Sequence, residues 1–104
     1  MQVYLINQHG TNNFKIGLSK DPEKRLKELQ TANGDSLDLI HTFNTRYAFK
    51  LESALHRVYA SKKTIGEWFQ LELKDVNSFL EECVKRETIL NILFEQNTYL
   101  QDKK

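Results

Sequence analysis

"FKIGLSKDPEKRLKELQ", residues 14–30, contains a change of period that sets the fold. Phe14 to Leu18 is an apolar run broken only by Lys15, the pattern of a short strand. Asp21-Pro22 then opens a helix. The aspartate can accept a free backbone N–H, the proline takes the first helical position where no N–H is needed, and Glu23 falls in the first turn. Leu26 and Leu29 form the helix's apolar stripe, and "ANGD" (32–35) ends it. Lys15 and Arg25 therefore place two cations at one strand-to-helix junction, where an anion would find both.

Upstream, "VYLIN" (3–7) is a second apolar, β-branched run, separated from the first by the turn-forming "QHGTNN" (8–13). The pair predicts an antiparallel hairpin. Downstream, Leu37, Leu39, His41 and Phe43 alternate with Asp38, Ile40, Thr42 and Asn44, predicting a third strand. Ala48, Leu51, Leu55, Val58 and Tyr59 recur at helical spacing. "IGEWFQLEL" (65–73) is a short extended piece leading to Asp75 as the cap of another helix, with Val76, Phe79, Leu80, Cys83 and Val84 on one face. Helical pattern resumes past Glu87 to about Tyr99, with fraying expected in the last few residues. Trp68, Phe69 and Phe43 read as core. The order predicts an α+β domain with a small antiparallel sheet: residues 1–74 as a core, and 75–104 as a C-terminal helical tail packed on that core or at a homodimer interface.

At 104 residues the chain suits one compact domain. No apolar run approaches a bilayer span, so no membrane association is expected. The opening "MQVYLI" has no basic region, so no signal peptide is expected. Cys83 is the sole cysteine, which excludes an internal disulfide and a cysteine-based zinc site and fits a reducing, cytoplasmic setting. Net charge is +1, yet it is uneven: residues 1–64 carry ten Lys/Arg against six Asp/Glu, and residues 65–104 five against eight. The positive front part is where an anion would dock.

Tyr4 in "QVY", "KIG" at 15–17, Arg25 in the following helix, "LESALH" (51–56) and "GEWFQL" (66–71) come in an order that resembles the GIY-YIG nuclease superfamily, in a compact viral and bacterial branch. The resemblance spans roughly residues 2–75. It implies a three-stranded antiparallel sheet flanked by helices, and an endonuclease that hydrolyses phosphodiester bonds in DNA, ahead of RNA, with one magnesium or manganese ion. By position, Glu67 would be the metal ligand, a hard oxygen donor for ions that keep most of their waters. Tyr4 would help deprotonate the attacking water. Arg25, a planar cation, would stabilise charge on the scissile phosphate, a contact whose loss typically costs about 100- to 1,000-fold in rate. Lys15 stands where the family more often has tyrosine. An ammonium there would favour the phenolate of Tyr4, whose ordinary pKa is about 10, and could hold a phosphate oxygen. Gln2 replaces a family glycine.

The resemblance also makes His56 a candidate for touching phosphate or orienting the metal site. Lys20, Lys24, Lys62 and Lys63 are candidate backbone-phosphate contacts. Each has a plainer reading: strand aromatic, edge-strand lysine, surface ion pair of Arg25 with Glu28, helix histidine, solvated turn. Glu52 reads as a structural anchor; His9 and His41 read as ordinary. Tyr4 and Lys15 share a sheet face only if an even number of residues stays unpaired in the hairpin loop or a bulge intervenes, and a five-residue loop would separate them. Two other classes stand beside the nuclease: a nucleic-acid-binding module of the same fold without turnover, and a protein-interaction domain using the tail helices.

Overall fold

A computed structural model describes residues 1–102, with side chains through Glu95. The fraying expected at the extreme C-terminus falls largely outside the described side chains. Two strands open the chain, β1 (Gln2–Gln8) and β2 (Asn13–Ser19), followed by helix α1 (Pro22–Ala32) and strand β3 (Leu37–Asn44). Helix α2 (Ala48–Val58), a 3-10 turn (Ala60–Lys62), strand β4 (Trp68–Gln70) and helices α3 (Leu73–Asn77) and α4 (Phe79–Asp102) complete it. The architecture is α+β, as expected, but the sheet has four antiparallel strands rather than three, in the order β3-β1-β2-β4. The extended piece before the tail is the fourth: Phe14 pairs with Phe69 and Lys15 with Trp68.

The hairpin loop leaves residues 9–12 outside the strands, and Tyr4 lies opposite Gly17, Ile6 opposite Lys15. Four unpaired residues is an even number, so Tyr4 and Lys15 share a face. Gly10 has a φ of 75°, the left-handed conformation that glycine adopts without strain in a turn. Asp21 caps α1 as its sequence predicts, accepting from the Lys24 N–H at 3.2 Å, an interaction typically worth about 1 kcal/mol.

Two layers flank the sheet. Val3, Leu5, Phe14, Ile16 and Phe69 pack with Leu51, Leu55 and Tyr59 from the α2 region and with Phe79 and Cys83 from α4. On the other face Tyr4, Ile6 and Leu37 form a smaller cluster against Leu26 and Leu29 of α1, with Leu39 and Trp68 partly buried beside it.

The continuous alternation expected for the third strand is broken. Leu5 pairs with His41 but Ile6 with Leu39, so Ile40 is an extra residue in a bulge. Leu37 and Leu39 face α1, whereas His41 stacks on Phe79 at 5.9 Å and Phe43 packs on the larger core. The tail also differs from expectation. Glu72 precedes the first residue of α3, and Asp75 sits at its third position, accepting from the Glu72 N–H at 2.9 Å in a capping box. The chain then breaks at Ser78, so Phe79 and Cys83 are buried while Leu80 and Val84 are exposed. Among the described residues no helix is long and apolar enough to cross a membrane.

Candidate active site at the open edge of the second strand

The outer edge of β2 is covered by β4 only as far as Lys15. At the next residue the two backbone polar groups find different partners. The Ile16 N–H donates to the Glu67 carbonyl at 3.1 Å, and the Ile16 carbonyl accepts from His56 Nε2 at 2.9 Å. A buried strand edge needs such partners. By supplying them, Glu67 and His56 are fixed at one point where the two faces of the sheet meet.

From the α1 side come Tyr4, Arg25 and Lys15. Tyr4 is 2% exposed and its ring lies across Gly17. A Cβ on Gly17 would fall 2.5 Å from the ring carbon bearing the hydroxyl, so the glycine of "KIG" is required by space rather than by its backbone angles. Burial pushes the Tyr4 phenol above its ordinary value, and the Glu67 and Glu52 carboxylates add to that rise. The Arg25 guanidinium beside the hydroxyl works against it, and is itself raised by that contact. The cation that offsets this rise in Tyr4 is thus Arg25, not Lys15 as expected. Lys15 instead lies 3.8 Å from Glu67 Oε1, with its Nζ 5.8 Å from the Trp68 ring centroid and its side chain 13% exposed.

From the α2 side come Glu52 and His56, one helical turn apart. One donor atom each from Glu52, His56 and Glu67 lies within 4.8 Å of the others. Glu52 is raised above the ordinary carboxylate value, first by burial and then by Glu67, with His56 and Lys15 opposing. Glu52, read from sequence as an anchor, is therefore a member of the cluster. Its spacing of four from His56 was the available signal.

The donor set suits a hard divalent cation, with two carboxylates and one imidazole. The bond to Ile16 fixes the His56 tautomer. A carbonyl can only accept, so Nε2 carries the proton, and a neutral ring then offers its Nδ1 lone pair. A histidine ligand is commonly fixed in this way by a backbone carbonyl. The His56 ring is further held edge-on to Phe69 at 5.0 Å. Glu67 is 44% exposed at its side chain, so a large substrate can reach it.

The expected phosphate contacts divide. Lys20, Lys24 and Lys63 are exposed. Lys62 bonds Asp75 at 2.6 Å and holds the start of α3, so its ammonium is committed within the fold. Arg25 keeps its loose pairing with Glu28, at 3.6 Å, in addition to its place beside Tyr4. His9 pairs with Asp38 at 2.6 Å, and His41 bonds the Val76 carbonyl at 3.1 Å, so both histidines have local partners.

Residues 1–84 match the T5orf172 domain, and the chain belongs to that family. It is also 36% identical over 81 residues to a protein of Invertebrate iridescent virus 6 named as a KilA-N domain-containing protein. That alignment covers 71% of this chain and 34% of the viral protein, so the chain spans about a third of its relative's length. No solved structure matches the chain significantly.

Proposed function

We propose that the chain is a metal-dependent endonuclease module of GIY-YIG type, hydrolysing phosphodiester bonds in DNA. The observation that carries this reading is the convergence, at the open edge of β2, of Glu52, His56 and Glu67 with Lys15 and the Tyr4–Arg25 pair. Membership of the T5orf172 family and the order of the GIY-YIG-like motifs along the chain support it.

In this reading Glu67, with Glu52 and His56, holds a magnesium or manganese ion. When bound, that ion supplies positive charge to the phosphoryl group. The protein's own groups do the rest. Arg25, exposed on one side and against Tyr4 on the other, binds the scissile phosphate and neutralises charge gathering on its oxygens. Lys15, nearly buried beside Glu67, holds a second phosphate oxygen. Tyr4 accepts the proton of the attacking water as the phenolate, its own proton having first passed to solvent. Its proton affinity is high because it is buried, and Arg25 stabilises the phenolate when it forms. Lys20, Lys24 and Lys63 add contacts to the DNA backbone without reading sequence.

One observation favours a second reading, a DNA-binding module without turnover. Glu67 already has a cation within reach in Lys15, so its charge can be balanced with no metal present. Nicking of supercoiled plasmid with magnesium or manganese separates the two. Nicking by the wild type, lost in Glu67→Ala and Arg25→Ala, supports the nuclease. DNA binding without nicking in either metal supports the inactive module, and equal nicking by all three proteins removes these residues from the site.

A further inference from the structure

A cavity is lined by Trp68, the residue that follows Glu67. It has a volume of about 220 Å³ and lies between the end of the hairpin, the loop after α1 and the turn before β4. Trp68 and Ile65 form its apolar part, and Gln8, Asn13, Asn33 and Asp35 its polar part. We propose that this cavity receives one unstacked nucleobase next to the phosphate held at Lys15, so that the module's substrate is single-stranded or locally opened DNA. The proposal rests on the reading of the neighbouring site as one that binds a nucleic-acid phosphate.

Four features point to a base. The size is the first: pockets for drug-sized ligands run to about 300–1,000 Å³, so this one suits a single ring system. Second, the aromatic wall is not where the sequence puts it. Trp68, expected in the core, is only partly buried, and Ile65 beside it is 77% exposed on a turn closed by bonds between Thr64 and Trp68. A partly open indole facing a cavity, with an apolar neighbour, is the surface on which a base stacks.

The third feature is the polar wall, which is preorganised. The Asn13 amide donates to Gln8 Oε1 at 3.1 Å, the Gln8 amide donates to Asp35 Oδ2 at 2.7 Å, and the Asp35 N–H donates to Asn33 Oδ1 at 3.1 Å. The Asn33 amide NH2 and the second Asp35 oxygen stand outside this chain of bonds. They leave the polar wall a donor on Asn33 and an acceptor on Asp35. The Watson–Crick edge of each of the four bases presents the complementary pair, so capture is expected to tolerate any sequence. The fourth is continuity with the site. Lys15 Nζ lies 5.8 Å from the centroid of Trp68, a residue of the cavity wall, and 3.8 Å from Glu67 Oε1, so Trp68 and Lys15 link the cavity to the candidate catalytic cluster. In a paired, stacked duplex no base edge can enter such a cavity, which is the source of the substrate preference.

Trp68 is the only tryptophan, so its emission reports this cavity directly. The experiment titrates the full chain, in EDTA to prevent cleavage, with a fluorescein-labelled single-stranded 12-mer and with the same sequence as duplex. Anisotropy reads binding, and unlabelled DNA in parallel reads Trp68 emission. The expected result is tighter binding of the single strand with quenching of Trp68. Ile65→Ala and Asn33→Ala, both at exposed or half-exposed positions, should weaken single-strand binding by about ten-fold while leaving duplex binding unchanged and thermal unfolding cooperative. Single-strand binding with unchanged Trp68 emission, or with full affinity in both variants, overturns the base cavity. If Arg25→Ala then still weakens binding, the nucleic-acid reading of the neighbouring site survives. Absence of binding to either DNA overturns both.

Discussion

On the face of the sheet covered by α2 and α4, the inward side chains form one apolar layer from Val3 to Phe69, closed by Leu51, Leu55, Phe79 and Cys83. On the face covered by α1, only Tyr4, Ile6 and Leu37 are buried in the cluster, Pro22 is the only buried residue of the helix, and the strand positions that would extend the layer carry Lys15 and Gly17. The two faces use the same strands, alternate residue by alternate residue. One is filled to hold the fold together. The other gives up packing to make room for a phenol, a guanidinium and an ammonium. The strand-borne part of the candidate chemistry, Tyr4 and Lys15, is thus separated from the main core by the two-residue period of the strand, while Glu52 and His56 reach the shared edge from the α2 side.

The largest effect is expected on the apolar face. Phe69→Ala removes a fully buried ring that touches both the core and His56. A loss of about 3–5 kcal/mol is expected, enough to leave a domain of this size largely unfolded in a urea titration. On the other face the comparable break is Gly17→Ala, in which the new methyl meets the buried Tyr4 ring. Overpacking of this kind costs about 1–3 kcal/mol. Thermal unfolding should show a moderate fall in Tm with a cooperative transition retained, while plasmid nicking falls to background because Tyr4 is displaced. Full activity in Gly17→Ala would remove Tyr4 from the chemistry.

Glu67→Gln sharpens the contrast further. Glu67 reaches the fold through its backbone carbonyl and the site through its carboxylate, so the variant should leave Tm unchanged and lower nicking by about two to three orders of magnitude. A fall in Tm with normal activity would assign Glu67 to structure. The pH profile tests Tyr4 in the same spirit. Its phenol is raised above 10, so at neutral pH it is protonated. If the phenolate is the base, nicking should rise about ten-fold per pH unit between 7 and 9, and Tyr4→Phe should abolish that slope. A flat profile in the wild type would rule out this role.

Much of this was legible in the sequence because it rests on local signals. The Asp21-Pro22 helix start, the hairpin and the helical spacing of Leu51 and Leu55 are contained within short windows. What was not legible depends on partners far along the chain. Trp68–Gln70 is too short to show a period, and becomes a strand only because β2 has an open edge at Phe14 and Lys15. The bulge at Ile40 leaves the alternation of letters intact while turning His41 and Phe43 to the opposite face from Leu37 and Leu39. In the candidate site, Tyr4, Lys15 and Arg25 could be placed together once the loop parity was known. Glu52 could not be joined to Glu67, because nothing local says that α2 crosses the point where β4 ends.

Lys62 and Lys63 form the smallest and most discriminating pair. Adjacent in sequence, they are equivalent as charges in a turn, yet the fold commits one and leaves the other free for solvent. Burial pushes the Asp75 carboxyl up, but the Lys62 ammonium and the Glu72 N–H outweigh it and hold the group below its ordinary 3.8. A carboxyl depressed in the folded state adds stability that is present above the unfolded value and is lost as pH falls through the folded one. In Lys62→Ala the push from burial remains and the ammonium is gone, so acid unfolding should begin at higher pH than in the wild type. DNA binding at moderate salt should be unaffected. Lys63→Ala should behave oppositely, with an unchanged acid transition and a salt dependence of DNA binding shallower by about one phosphate contact. If Lys62→Ala instead weakens DNA binding and leaves the acid transition in place, then its bond to Asp75 opens on contact with the nucleic acid, and the turn before β4 engages DNA with both of its lysines.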